Sequence, residues 1–212
     1  MLGLDKDRLR MIERQLARRG LVNKDVLRAM REVPRDAFVP EALKEHAYKD
    51  TPLPIDAGQT ISQPYVVALM IDAADIAPGD RVLEVGAGSG YAAAVLSRIA
   101  ARVYAIERHR ELAMSAAERL RQLGYDNIEV RAGDGVHGWI EAAPFDAILV
   151  SASGEAIPQA LKEQLDIGGT LVMPVGPMHD QRLIKVHRSG ANSYDEEDLG
   201  AVSFVPLITG ES

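Results

Sequence analysis

From Arg81 onward the sequence alternates short apolar runs with longer stretches of helical spacing, and this rhythm constrains the fold more than any other feature of the chain. Arg81-Val82-Leu83-Glu84-Val85, Val103-Tyr104-Ala105-Ile106, Ile128-Glu129-Val130, Phe145-Asp146-Ala147-Ile148-Leu149-Val150 and Gly169-Thr170-Leu171-Val172-Met173 read as strands. Helical patterns separate them over 91–100, over 109–123, where Leu112, Ala116, Leu120 and Leu123 recur at helical spacing, and near 157–165. Strand–helix–strand units place apolar strands side by side and parallel, with helices covering both faces. The expectation is a doubly wound, mostly parallel α/β sheet.

Other signals flank this sheet. A first helix is expected from about Asp5 to Arg19, with Leu9, Ile12 and Leu16 on one face and Gly20 suited to a left-handed cap. Asn23 can cap a second helix running to Val33. Residues 34–64 hold Pro40, Pro52, Pro54 and Gly58 but also Phe38, Leu43, Tyr48, Leu53 and Ile55, which reads as an ordered loop layer. Pro64 suits the first position of a largely buried helix through Asp75. The segment therefore forms an N-terminal helical cap. At the other end, Arg182 to His187 and Val202 to Leu207 read as an antiparallel strand pair around the acidic turn Asp195-Glu196-Glu197-Asp198.

Composition removes several function classes. The chain has no cysteine, which excludes disulfide scaffolds, thiolate zinc sites and cysteine nucleophiles. A net charge of -7 argues against sequence-independent nucleic-acid binding, and Arg8, Arg10, Arg14, Arg18 and Arg19 read as a solvated helix face. No apolar run approaches the ~18 residues that span a bilayer, and the start lacks the pattern of a signal peptide; a cytoplasmic protein without membrane partners is expected. His46, His109, His137, His179 and His187 are scattered, so no metal set is expected, and Trp139 reads as a packing residue.

The first strand ends in Glu84-Val85-Gly86-Ala87-Gly88-Ser89-Gly90, and open α/β sheets bind ligands beyond the carboxyl ends of their strands. Glycines there let a ligand approach the backbone. A dinucleotide fingerprint needs its third glycine where this chain has Tyr91. Here the third glycine comes one residue earlier, and Glu84 precedes the first by two. A carboxylate at that point suits a cationic amino-acid ligand better than a pyrophosphate. Glu107 and Asp134 end the next two strands, where they can accept hydrogen bonds from ribose hydroxyls and from an adenine amine, with Gly135 admitting the ring.

This arrangement resembles motif I of class I methyltransferases, a Rossmann-like fold whose cofactor is S-adenosyl-L-methionine and whose product is S-adenosyl-L-homocysteine. On that reading Gly86, Gly88, Ser89, Gly90, Glu84, Glu107, Asp134 and Gly135 hold the cofactor, and no metal is required. The acceptor is less constrained. A carboxylate is already ionised at neutral pH and needs no base, and the chain offers no obvious base. Ser151-Ala152-Ser153-Gly154 cannot form the stacking platform of amino-methyltransferases acting on DNA.

Gly58-Gln59-Thr60-Ile61-Ser62-Gln63-Pro64-Tyr65 closely resembles the signature of the protein-L-isoaspartate (D-aspartate) O-methyltransferases, as does Ala47-Tyr48-Lys49-Asp50-Thr51-Pro52-Leu53-Pro54 before it. Gly133-Asp134-Gly135, the strand Phe145 to Val150, the stretch Gly168 to Gly176 and the tail Phe204-Val205-Pro206-Leu207 follow the same family in order. The resemblance implies methylation of the free α-carboxylate of L-isoaspartyl, and by extension D-aspartyl, residues in damaged proteins and peptides, which begins repair through a succinimide. It implies that Ser62 is the active-site hydroxyl, that Thr60 and Ile61 line cofactor and substrate, and that Gln59, Phe204, Val205 and Pro206 meet the substrate. Taken alone, Ser62 would read as an ordinary serine at a helix start. Departures from the family pattern fall at Asp56-Ala57, His137 and Ser151-Gly154.

Residues 1–76 are expected to supply the substrate-site segment and 77–212 the cofactor-binding α/β domain, packed as one unit; the oligomeric state stays open, a monomer being compatible. Other readings remain: a methyltransferase for a different acceptor such as a small-molecule carboxylate or RNA, a nicotinamide oxidoreductase, against which Tyr91 counts, and a cofactor-binding partner without activity.

Overall fold

The computed structural model describes residues 2–210. Helix α1 (Leu2–Met11) continues through a π turn (Ile12–Leu16) and a 3-10 turn (Ala17–Arg19) to Gly20, which ends it at φ 94°. The left-handed cap is as expected, but the buried face is not. Met11 and Leu16 are fully buried whereas Leu9 is 44% exposed. A π turn inserts extra chain into the helical repeat, so simple three-four spacing fails across it.

Helix α2 (Lys24–Glu32) starts as read from sequence: the Asn23 side chain accepts from the N–H groups of Asp25 and Val26. The loop layer that follows contains three 3-10 turns and a small antiparallel hairpin of β1 (Leu53–Pro54) and β2 (Thr60–Ile61). Two-residue strands carry no readable period, which is why the sequence shows only a loop there. Helix α3 (Pro64–Ala73) opens on Pro64, as expected.

The sheet proper comprises β3 (Arg81–Val85), β4 (Arg102–Glu107), β5 (Ile128–Ala132), β6 (Phe145–Val150), β7 (Leu165–Val175), β8 (Gln181–Gly190) and β9 (Ser193–Val202). Helices α4 (Tyr91–Ser97), α5 (Arg110–Gln122) and α6 (Gln159–Glu163) join the parallel strands. The strand order is β5-β4-β3-β6-β7-β8-β9, parallel as far as β7 and antiparallel beyond it. The chain leaves β3 toward β4 and β5, then returns to the other side of β3 as β6. That reversal opens a crevice at the carboxyl ends of β3, β4 and β6.

The C-terminal pair exists, but its register corrects the sequence reading. The acidic run lies inside β9, where Asp195, Glu196, Glu197 and Asp198 pair with His187, Val186, Lys185 and Ile184. These acids are exposed on the edge strand, where charge discourages pairing with another chain. Residues 203–207 form no strand; a single bridge joins Pro206 to Ser153, and a proline nitrogen cannot donate to a ladder.

One apolar cluster joins Met11, Leu16, Met30 and Ile71 of the N-terminal segment to Val82 and Val103 of the sheet and Leu96 of the helix after β3. A second, on the opposite face, holds Leu83, Phe145, Ile148 and Trp139. Trp139 packs edge-on against Tyr104, ring centres 5.3 Å apart. No helix among the described residues is long and apolar enough to cross a membrane.

Candidate active site

The glycine loop turns at the reversal point. Gly86, Gly88 and Gly90 have φ of 90°, 54° and 88°, backbone that side-chain-bearing residues rarely adopt. A Cβ on Gly90 would also press on Leu120 at 3.1 Å. The loop is held from both sides. Gly86 and Ala87 donate to the Ile106 carbonyl at 2.8 and 3.1 Å. Gly88 donates to Glu107 Oε2 at 2.8 Å, while Arg119 of α5 donates to the Ser89 carbonyl at 2.9 Å.

Glu107 is buried, and its other oxygen accepts from the His109 N–H at 2.9 Å. Each carboxylate oxygen has a second lone pair for a ligand. Glu84 is also buried, and its Oε2 has no hydrogen-bond partner among the described residues. Burial, helped by the nearby Glu107 charge, pushes the Glu84 carboxyl well above its ordinary range, with the Ala93 N–H working the other way. Asp134 ends β5 and caps the turn after it, accepting from Val136 N–H at 3.0 Å; its second oxygen accepts from Gly210 N–H at 2.6 Å. The Gly210 carbonyl in turn accepts from Arg108 Nε at 2.9 Å, so the tail crosses the cavity mouth.

Three spaces meet around this loop. The first is a cavity lined by Gly86, Gly88, Glu107, Gly135 and Ile208. A smaller pocket reaches Glu84, Ser89, Ile61 and Ser62. A broad groove runs past Ser62, Tyr65, His179 and the segment Phe204-Val205-Pro206. Thr60 and Ser151 border all three, and Ser62 borders the pocket and the groove. Gln59 lines the first cavity, with its amide nitrogen 3.3 Å from His109 Nε2.

Ser62 is not a capping residue. The cap position of α3 is Gln63, which makes no side-chain cap bond. Asp50 supplies the missing acceptor: its Oδ1 takes the Tyr65 N–H at 3.0 Å, and its Oδ2 takes Gln63 Nε2 and Arg19 Nη1, each at 2.7 Å. The Arg19 guanidinium lies 3.4 Å from the Tyr65 ring centre, so this arginine lines the groove, unlike the solvated face it was expected to share.

A family model, described as Protein-L-isoaspartate(D-aspartate) O-methyltransferase (PCMT), matches residues 7–212. The chain belongs to this family. A protein-L-isoaspartate O-methyltransferase of Methylorubrum extorquens is 59% identical over 96% of this chain and 89% of its own length. One from Pelotomaculum thermopropionicum is 57% identical over 97% of this chain and 90% of its own. Among solved structures, a Plasmodium falciparum protein assigned to the same activity, in complex with S-adenosyl-L-homocysteine, superposes with a TM-score of 0.80 at 28% identity, covering 95% of this chain and 98% of that one.

Within this family's fold, Glu84, Gly86, Gly88, Ser89, Glu107 and Gly135 line one crevice, and Thr60, Ile61, Ser62, Val205 and Pro206 border it. Gly90 instead packs against Leu120, and Asp134 holds the turn and tail beside the crevice, neither of them lining it. Sequence reasoning missed four contributors. Gln181, buried, clamps the tail by donating to the Phe204 carbonyl at 3.1 Å and accepting from its N–H at 2.6 Å. Arg119 and His109 act through contacts distant in sequence that no local motif marks. Asp50 lies in the family-like segment Ala47 to Pro54, but its role as acceptor for Gln63, Tyr65 and Arg19 is visible only in the fold. Among the described residues, no group of three or more His, Cys, Asp or Glu is placed to hold a metal ion.

Proposed function

We propose that this chain transfers the methyl group of S-adenosyl-L-methionine to the free α-carboxylate of L-isoaspartyl residues in damaged proteins and peptides, with D-aspartyl residues as a further substrate. The observation that carries this reading is the position of Ser62, inside the family's signature segment and at the junction between the glycine-loop pocket and the open groove.

The residues present fit the cofactor. The unpartnered Glu84 oxygen matches an ammonium group, Glu107 retains acceptor capacity for ribose hydroxyls, and Gly135 lines the cavity beside Glu107. Asp134 has both oxygens engaged by backbone N–H groups, so an adenine amine would share or replace the Gly210 contact. When bound, S-adenosyl-L-methionine supplies an electrophilic methyl group on a positively charged sulfur.

The protein's own contribution is positioning and exclusion of water. The acceptor carboxylate is ionised at neutral pH and needs no base. The Ser62 hydroxyl donates to it and aims one oxygen at the methyl carbon. The new bond is carboxyl oxygen to carbon, the bond broken is sulfur to carbon, and the electron pair stays on sulfur. The groove is broad and open to solvent, which suits a peptide chain. Phe204 N–H and carbonyl are already bonded to Gln181, and the Val205 carbonyl to Ser153 N–H, so the rim of the groove is a rigid extended segment. Cyclisation of the ester to succinimide belongs to the substrate.

In this reading residues 1–76 contribute the acceptor side of the site and 77–212 the cofactor side. The protein acts as a cytoplasmic monomer without nucleic-acid partners, which size-exclusion chromatography and fractionation test. The deciding assay gives labelled S-adenosyl-L-methionine to the protein with an isoaspartyl peptide and with its normal aspartyl twin. Label in the first alone is expected; equal label in both, or preferential labelling of RNA or a small carboxylic acid, overturns the reading. Ser62→Ala is expected to slow turnover at least about tenfold while S-adenosyl-L-homocysteine still binds.

A further inference from the structure

We infer that Ser151 is a second substrate-contacting hydroxyl, which works with Ser62 to cradle the acceptor carboxylate; this rests on the carboxyl-methylation reading above. Ser151 follows β6 directly, and its N–H donates to the Val85 carbonyl at 2.8 Å, which fixes it beside the glycine loop. Its side chain lies against Gly86: a Cβ built on that glycine would be 3.6 Å from Ser151 Cβ. Ser62 stands just before α3 and lines the same pocket. Both serines border the glycine-loop pocket and the groove, so both face the point where cofactor and acceptor must meet.

The hydroxyls themselves separate these two serines from structural ones. Ser97 donates to the Ala94 carbonyl at 2.8 Å and Ser153 to the Gly176 carbonyl at 3.3 Å, both within the protein. Neither the Ser62 hydroxyl nor the Ser151 hydroxyl has a hydrogen-bond partner among the described residues, and neither appears among the sealed, unsatisfied polar atoms. Both are half-buried and their hydroxyls point to accessible space. A hydroxyl kept unpaired at a partly dry site is a donor available to a ligand.

The chemistry of the acceptor uses two such donors. A carboxylate held at one point can swing about that contact; held at two, its plane is fixed and one lone pair keeps its aim at the methyl carbon. Two hydroxyl donors also favour a carboxylate over an amide, because hydrogen bonds to an ionised acceptor are the stronger ones. No proton transfer is involved, so either hydroxyl can be replaced by another hydroxyl but not by a methyl group. Removing Ser151 Oγ breaks no contact inside the protein, so the fold is expected to tolerate the change.

The test is steady-state methylation of an isoaspartyl peptide by the full chain and by Ser151→Ala, Ser151→Thr, Ser62→Ala and the double alanine variant, with S-adenosyl-L-homocysteine affinity measured by calorimetry for each. The expected result is a fall of about ten- to a hundredfold in kcat/KM for the peptide in Ser151→Ala, the range for a hydrogen bond to an ionised group. Homocysteine-product affinity should stay within about twofold, Ser151→Thr should recover most of the activity, and the double variant should lose less than the product of the single losses. Ser151→Ala with wild-type kcat/KM, or a loss explained by weaker cofactor binding alone, overturns the inference while leaving the proposed function intact. A wild-type chain that does not methylate the isoaspartyl peptide overturns the function and the cradle together.

Discussion

Asp50 Oδ1 accepts the Tyr65 N–H at 3.0 Å, across fifteen residues of sequence, and so caps α3 from outside the helix. Its second oxygen holds Gln63 and Arg19, which leaves Ser62 attached to a helix start fixed by one carboxylate. Asp50→Ala is expected to lower stability by about 1–2 kcal/mol, the usual cost of a lost helix cap. It should also lower kcat for methyl transfer, because Ser62 loses its anchor, while S-adenosyl-L-homocysteine affinity holds, because the glycine loop has separate supports. Denaturant unfolding, steady-state kinetics and calorimetry together check this. A stability loss with unchanged kcat would limit Asp50 to a structural role.

Arg119 reaches the cofactor loop from the other side of the sheet's edge, donating to the Ser89 carbonyl at 2.9 Å and to Ser115 Oγ at 3.3 Å. Arg119→Met keeps much of the side-chain stem and removes both bonds. A typical hydrogen bond contributes about 1 kcal/mol net, so cofactor affinity should weaken about fivefold, with kcat at saturating cofactor little changed. Binding titrations with S-adenosyl-L-homocysteine measure it, and an unchanged dissociation constant would show that the loop holds its shape without this arginine.

The sheet and the cofactor side of the site were legible in the sequence because they are local. Val82 to Val85 and Phe145 to Val150 are apolar runs broken by one acid each, and Glu84, Glu107 and Asp134 sit at or near strand ends where position alone gives them a role. The register of the last pair was not legible. An acidic run normally signals a turn, but on an edge strand charge is protective, and only the pairing of Glu196 with Val186 reveals which applies. Asp50, Gln181 and Arg119 escaped for a different reason: the contact that gives each its role at the site reaches 13 or more residues along the chain. Ser151 was noticed only as a departure from the family pattern, since its place at the meeting of three spaces depends on how β3 and β6 pair.

Gly133 and Gly135 flank Asp134 and look alike in sequence, but the structure predicts opposite outcomes for them. A Cβ on Gly135 would collide with Val85 Cγ1, deep in the sheet, whereas one on Gly133 would find nothing nearer than Ile106 Cγ2 at 4.0 Å. Gly135→Ala is expected to cost about 1–3 kcal/mol, as overpacking does, and to narrow the cofactor cavity. Gly133→Ala should leave the melting temperature within a few degrees of wild type. Thermal unfolding of the two variants side by side is sufficient, and equal destabilisation would contradict the packing described for Gly135.

Glu84 makes the unliganded protein sensitive to pH in a defined direction. Its buried carboxyl titrates well above the ordinary value of 4.5, chiefly through burial and secondarily through the Glu107 charge. Between that ordinary value and its raised one, the folded state binds a proton that the unfolded state has released. Stability contributed through Glu84 therefore falls as pH rises through this window, and the deficit is complete above it. Glu84→Gln cannot titrate, so the variant should melt higher than wild type on the alkaline side of the window, and the difference should shrink toward the ordinary carboxylate range. With S-adenosyl-L-homocysteine bound the order should reverse at neutral pH. The ligand's ammonium group favours the ionised carboxylate, and its loss in Glu84→Gln should weaken binding about tenfold or more, as expected for a charge-assisted hydrogen bond. Melting temperatures of both proteins across pH, with and without the ligand, read all of this at once. Parallel curves for the two proteins without ligand would mean that Glu84 is not the group that titrates.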